Sequence, residues 1–202
     1  MIQAKMNFDR NLSYINDIGS IYDEVVRLAP TLVTQASQLL RSQFVLLVSA
    51  LDTYIHDIVR IGILQEYQGI RPVSRGLSKL SLTYNDLSEL ESQPPMMKTP
   101  TMEQIIRRIN SVDSFQSSKS IEYAMGLIGI TGIWSKLSSS LALNAEDIKT
   151  KLDLIVRRRN QIAHESDYNP STGHQRGINK NEIKDIKVFI CDFVNAIHLI
   201  VR

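Results

Sequence analysis

Cysteine is almost missing from this chain. A single Cys191 in 202 residues cannot close an internal disulfide, and it falls in a helical pattern, so a reducing compartment, the cytoplasm, is expected. Long apolar runs are missing too. The longest, Phe44 to Leu51 with Ser49 inside it, falls short of the ~20 residues a membrane-spanning helix needs. Met1–Lys5 has no apolar signal-peptide stretch, so no membrane association is expected. Neither sign of charge dominates: 23 Lys and Arg against 21 Asp and Glu leave +2, and any argument for nucleic acid must be local. Alternating strands and hairpin turns are scarce. No Cys or His cluster has zinc spacing, and no acidic cluster suggests a magnesium site. There is no Gly-rich phosphate loop, no dinucleotide fingerprint and no serine in a nucleophile-elbow context. No metal and no other cofactor is expected.

What is present is helical periodicity in an ordinary globular mixture, 43% hydrophobic and 22% charged. Residues 11–29 repeat Leu12, Ile15, Ile18, Ile21, Val25 and Leu28 at helical spacing, and Pro30 follows. A second and longest helix is expected over 34–67. It has no proline, is apolar on more than one side around 44–51, and is broken by Gly69, Pro72 and Gly76. Residues 68–143 are the least regular. They read as a short helix over 84–90, a proline-rich loop over 92–100, and a helix capped by Thr101 with Gln104 in capping-box register. Two further short helices follow over 119–130 and 133–143. Asn144 suits the N-cap of a helix that runs to about His164. Residues 165–177 read as an exposed loop. The last helix, 180–201, sets Ile183, Ile186, Ile190, Phe193, Ile197 and Ile200 along a packing seam. The expected fold is all-α: one domain over 1–202, a bundle of four main helices (11–29, 34–67, 144–164, 180–201) with an inserted region of short helices at 68–143.

One arginine is out of place in this pattern. At about 100° per residue, Ile148, Leu152, Ile155, Val156, Ile162 and Ala163 share a face, and Arg159 sits in the middle of it. Arg157 and Arg158 point away, as solvated arginines should. A guanidinium on an apolar stripe is costly unless it is paired or lines a site. His164 ends the helix five residues on. Arginine with histidine suits phosphate chemistry, one holding the anion and the other moving a proton. The plain alternative, basic groups placed against the helix dipole, accounts for Arg157 and Arg158 but not for Arg159.

Arg159-Asn160-Gln161-Ile162-Ala163-His164 resembles the R-x(4–6)-H motif of HEPN domains. Phe44 to Asp57, Phe-Val-Leu-Leu-Val-Ser-Ala-Leu-Asp-Thr-Tyr-Ile-His-Asp, resembles the first core helix of the RiboL-PSP type of that family. Together the two matches cover about 34–67 and 144–201. The resemblance implies a metal-independent endoribonuclease, a toxin or defence enzyme. His164 would be its general acid or base, Arg159 the phosphate ligand and Asn160 an orienting residue. It also implies a homodimer with facing motifs, RNA as substrate, and an antitoxin or other regulatory protein as partner. On an ideal helix Arg159 and His164 lie roughly 140° apart. They converge only if the last turn loosens or a second subunit completes the site.

Asp52 and His56 share a face of the long helix and read either as a local surface pair or as support, with Asp52 meeting Arg159 across the bundle. Arg157, Arg158, His174 and Arg176 are candidate RNA contacts, although a solvated loop is the plainer reading of His174 and Arg176. His198 reads as structural. Trp134, Tyr123 and the methionines read as core. Two rival functions remain: a non-catalytic HEPN module that binds RNA, nucleotide or a partner protein, and a plain helical interaction protein.

Overall fold

The computed structural model describes all 202 residues, as nine α-helices. They are α1 (Ile2–Leu28), α2 (Val33–Tyr67), α3 (Arg75–Ser78), α4 (Tyr84–Ser92), α5 (Pro95–Asn110), α6 (Ser118–Leu127), α7 (Ile133–Leu141), α8 (Ala145–His164) and α9 (Lys180–Val201). A 3-10 turn, Pro30–Leu32, joins α1 to α2. The only strand-like pairing is an isolated bridge between Tyr168 and Gln175.

α2 is the central element. α1, α5, α6, α8 and α9 all pack on it, which explains an apolar pattern that wraps more than one side. Phe44, Leu47, Val48, Leu51, Ile55 and Ile58 are almost wholly removed from water. α1 begins nine residues before the expected start. Ala4 and Phe8 are buried and carry the apolar repeat upstream of Leu12, with Phe8 edge-on to Tyr54 at 5.8 Å between ring centroids.

The middle region corrects one expectation. Residues 95–100 are helical rather than a loop, and Thr101 is buried within α5 instead of capping it. Pro95 stands in the first turn, where a missing N–H goes unpaired in any helix. Pro100 does remove an interior bond. Burial of Met102, Ile105 and Ile106 in the core outweighs that loss. α4 and α6 start where local chemistry directs, each with a reciprocal capping box: Thr83 with Asp86, and Ser117 with Ser120. One cluster of 39 buried apolar residues runs from Ala4 to Val201 and includes residues of α4, α5, α6 and α7, so the inserted helices share the core of the four long ones. Trp134 lies in that cluster, but Tyr123, expected there, is 58% exposed, and Met6, Met96 and Met97 are also exposed.

Candidate functional site

Asn144 opens α8 as expected, accepting from Glu146 N–H at 2.8 Å. Ile148, Leu152, Ile155 and Val156 are buried. The stripe then leaves the core: Arg159 and Ile162 are half-buried and Ala163 is exposed. Arg159 is therefore at the rim of the apolar face, not deep within it. One turn further on, Ile162 and Ala163 of α8 line an open cleft of about 590 Å³ together with Gln38, Arg41, Ser42, Val45 and Leu46 of α2 and Ser166 and Gln175 of the following loop. Arg159 Nη1 donates to Asn160 Oδ1 at 3.1 Å, while its Nε is buried without a partner. His164 is exposed. The helix stays regular to its end, and Glu165 N–H still bonds Gln161 O at 3.1 Å. The last turn does not loosen, so the two side chains keep the roughly 140° separation of five helical residues.

Immediately after His164 the chain reverses. Ser166 and Asp167 take positive φ, 52° and 61°, a conformation that aspartate tolerates better than most residues but that still needs support. The support is electrostatic. The Asp167 carboxylate is fully buried and holds two arginines: Arg41 Nε donates to Oδ2 at 2.9 Å, and Arg158 donates through Nη1 to Oδ1 and through Nη2 to Oδ2 at 3.1 Å. Remaining guanidinium donors reach backbone carbonyls, Arg41 Nη2 that of Arg176 at 2.6 Å and Arg158 Nη2 that of Gly177 at 3.1 Å. Arg176 N–H closes the loop onto Asp167 O at 2.9 Å. One carboxylate thus ties α2, α8 and the 165–177 segment together.

This arrangement corrects the reading of Arg158. It is not solvated, because the loop folds back and places Asp167 against it. Asp167 and Arg41 were missed. The available signal was an arginine at a core-facing position of α2, which buries Gln43, Asp57, Arg60 and Glu66 as well.

Asp52 does not face Arg159 within the chain. Its Oδ1 accepts Phe115 N–H at 2.6 Å and stands 3.8 Å from His56 Nε2, and the His56 ring lies over Phe115 with centroids 4.5 Å apart. Both residues face α5 and the segment that follows it, across a polar cleft that Arg60 and Arg107 also line. Arg157 and His174 are exposed. Arg176 Nη1 is held on Tyr168 O at 2.8 Å. His198 is buried, with its Nδ1 3.3 Å from Tyr54 Oη. Burial, followed by the positive charge of Arg202, holds its imidazole below the ordinary histidine range. No group of three or more His, Cys, Asp or Glu side chains gathers at metal-binding spacing, and no helix is long and apolar enough to cross a membrane.

The family model described as RiboL-PSP-HEPN matches residues 9–202. No curated protein and no solved structure matches the chain. The matched span includes both α2 and the Arg159–His164 motif, and by it the chain belongs to the RiboL-PSP-HEPN family.

Proposed function

We propose that the protein is a metal-independent endoribonuclease acting at the end of α8. The observation that carries this reading is Arg159: its Nε is buried and unpartnered, it lies one turn before Ile162 and Ala163, which line an open cleft, and it is next to Arg158, whose guanidinium is held by Asp167. A guanidinium grips two phosphate oxygens in one plane, and it stabilises charge that develops on phosphorus in the transition state. His164, exposed at the helix end, takes the proton of the ribose 2′-OH. The 2′-oxygen attacks phosphorus and the 5′-oxygen leaves, accepting a proton, so the products are a 2′,3′-cyclic phosphate and a 5′-hydroxyl. DNA, without the 2′-OH, is not cut. Asn160 holds Arg159 in line, and Arg157 and His174 offer contacts to the strand.

The regular last turn favours a site completed by a second copy, in which His164 of one subunit meets Arg159 of the other. Leu46 and Tyr14, 40% and 60% exposed, continue an apolar surface from the cleft across α2 to α1 and support such a pairing. Light scattering should find a dimer at micromolar concentration. A strict monomer that still cleaves would count against it. The biological role in keeping with this chemistry is a toxin or defence nuclease in the cytoplasm, restrained by an antitoxin or other regulatory protein.

The deciding assay is cleavage of single-stranded RNA in excess EDTA. Wild type should cut and leave a cyclic phosphate, and Arg159→Lys should fail because lysine lacks the planar fork. Activity abolished by EDTA, restored by magnesium and retained in His164→Ala would overturn the assignment. The second reading, a module that binds RNA without cutting it, is favoured by the wide separation of Arg159 and His164 within one chain. It predicts RNA binding by wild type with no product at any protein concentration.

A further inference from the structure

The cleft that Ile162 and Ala163 line holds a relay of two amides. Gln38 Nε2 of α2 donates to Gln175 Oε1 at 3.0 Å, and Gln175 Nε2 donates to Ser166 O at 3.0 Å. A carbonyl oxygen only accepts, so Ser166 O fixes which end of the Gln175 amide is nitrogen, and the Gln175 oxygen fixes the Gln38 amide in turn. The relay is anchored in the reversal after His164. Ser166 holds its left-handed φ of 52°, and Gln175 pairs with Tyr168 in the isolated bridge. Gln38 is exposed and keeps two groups unused, its Oε1 and the second N–H of Nε2. They stand side by side in a fixed order, an acceptor beside a donor.

The rest of the cleft suits a neutral ring. Arg41 is the one charged residue that lines it, and all three of its guanidinium nitrogens are engaged, on Asp167, Ser37 and the Arg176 carbonyl. No charge is left to hold a phosphate. Val45, Leu46 and Ile162 form an apolar wall, and the volume of about 590 Å³ falls within the usual range for small-molecule pockets, about 300–1,000 Å³. Ala163 and Ser166 bring the cleft to both sides of His164 along the chain. Resting on the reading of the α8 end as a ribonuclease site, we propose that this cleft seats the base of the nucleotide whose 2′-oxygen attacks, and that Gln38 makes adenine the preferred base there. Complementing Gln38 takes a donor beside an acceptor. On the Hoogsteen edge adenine alone of the four bases presents that pair, N6–H with N7, whereas guanine shows two acceptors and each pyrimidine a single polar group. The Watson–Crick edge of adenine repeats the pair, N6–H with N1, so adenine fits in either of two poses about the same amine.

Four DNA oligomers, each carrying one ribonucleotide (A, C, G or U) at the same position, test this with the full chain, since only that step has a 2′-OH. The adenosine substrate should be cut about tenfold faster or more than the other three at low concentration. Replacing adenosine by purine riboside, which lacks the N6 amine, should remove most of that advantage. Gln38→Ala should slow cleavage at adenosine by about tenfold and bring the four substrates within about threefold of one another, with an unchanged melting curve. Gln175→Ala, which frees the Gln38 amide to turn over, should narrow the preference in the same direction. A binding arm separates this proposal from the cleavage reading. 2′-O-methyl RNA oligomers cannot be cut, and fluorescence anisotropy should find those rich in adenine bound more tightly than those rich in cytosine, with the difference lost in Gln38→Ala. If none of the four substrates is cut but this difference in binding holds, the cleavage reading falls and the adenine cleft stands. Equal rates at all four bases, a preference for another base, purine riboside cut as fast as adenosine, an adenine preference unchanged in Gln38→Ala, or neither cutting nor binding overturns the proposal.

Discussion

Arg158 and Arg159 are neighbours on α8, yet the regions they serve are opposites. Around Arg158 every charge has a counterpart: the Asp167 carboxylate is wholly buried between two guanidinium groups, and their spare donors end on the Arg176 and Gly177 carbonyls and the Ser37 hydroxyl. Around Arg159 little is satisfied: one contact to the adjacent Asn160, a buried Nε with no partner, and an open cleft that begins one turn on at Ile162 and Ala163. Rotation by about 100° separates a group that holds the fold from one left available for a ligand. The comparison teaches where to look for function in an ion-rich helix: at the charge whose neighbours leave it incomplete.

Breaking the incomplete region should cost activity and little else. His164→Ala should lower RNA cleavage by about 10²–10⁴-fold, the usual loss of an acid–base group. Its melting temperature should stay within about 2 °C of wild type, since an exposed helix-end residue contributes little. A parallel fall in melting temperature and rate would move His164 to the structural side of the comparison.

Breaking the complete region should do the reverse. Asp167→Ala leaves two arginines facing each other, Arg41 of them buried, and removing one partner of a buried pair costs about 3–5 kcal/mol. At this chain length that is a drop of about 10 °C in thermal melting. Residual cleavage per folded molecule, measured well below the new transition, should fall far less than in His164→Ala. Unchanged melting would mean that the cluster is ornamental.

The sequence carried most of this contrast, but unevenly. Helix period located α2, α8 and α9 closely, because each buries a continuous stripe. The start of α1 was hidden because only Ala4 and Phe8 mark its first turns. The 92–100 segment misled because proline is a local signal, whereas the helix there is fixed by burial of Met102, Ile105 and Ile106 against α2. At the site, Arg159 was legible as a charge on an apolar face. Arg158 was not, because its partner Asp167 reaches it only through the left-handed reversal after His164, which no periodicity encodes. Asp52 failed for the same reason: its acceptor role depends on where the segment before α6 lands.

Asp52 sharpens the comparison from outside both regions. Its carboxylate accepts Phe115 N–H at 2.6 Å and so anchors the approach to α6. Asp52→Ala should destabilise by about 1–2 kcal/mol, a few degrees of melting, through the unpaired N–H it leaves. Cleavage per folded molecule should not change. A selective loss of activity would instead tie Asp52 to Arg159, in the dimer if not in the chain.

The smallest effect concerns pH, and it separates two histidines on the same terms. His164 is exposed at the motif, whereas His198 is buried near Tyr54. Burial first, then Arg202, Lys5 and the N-terminal amine, lower the His198 pKa in the folded protein, and Asp9 opposes them weakly. A group with a lowered folded-state pKa is protonated more readily when unfolded. Its neutral form therefore favours folding above the ordinary histidine value of about 6.5, and that contribution falls away as pH drops below it. Wild type should melt a degree or two lower at pH 5.5 than at pH 7.5 from this source. His198→Gln, which keeps a hydrogen-bonding group beside Tyr54, should flatten that part of the acid slope. The pH profile of cleavage should be unaltered in the same variant, because the proposed proton transfer is that of His164. If His198→Gln moves the cleavage profile and leaves the melting slope as it was, the roles of the two histidines are reversed: the buried group is the one that meets the substrate, and the end of α8 is only a cap.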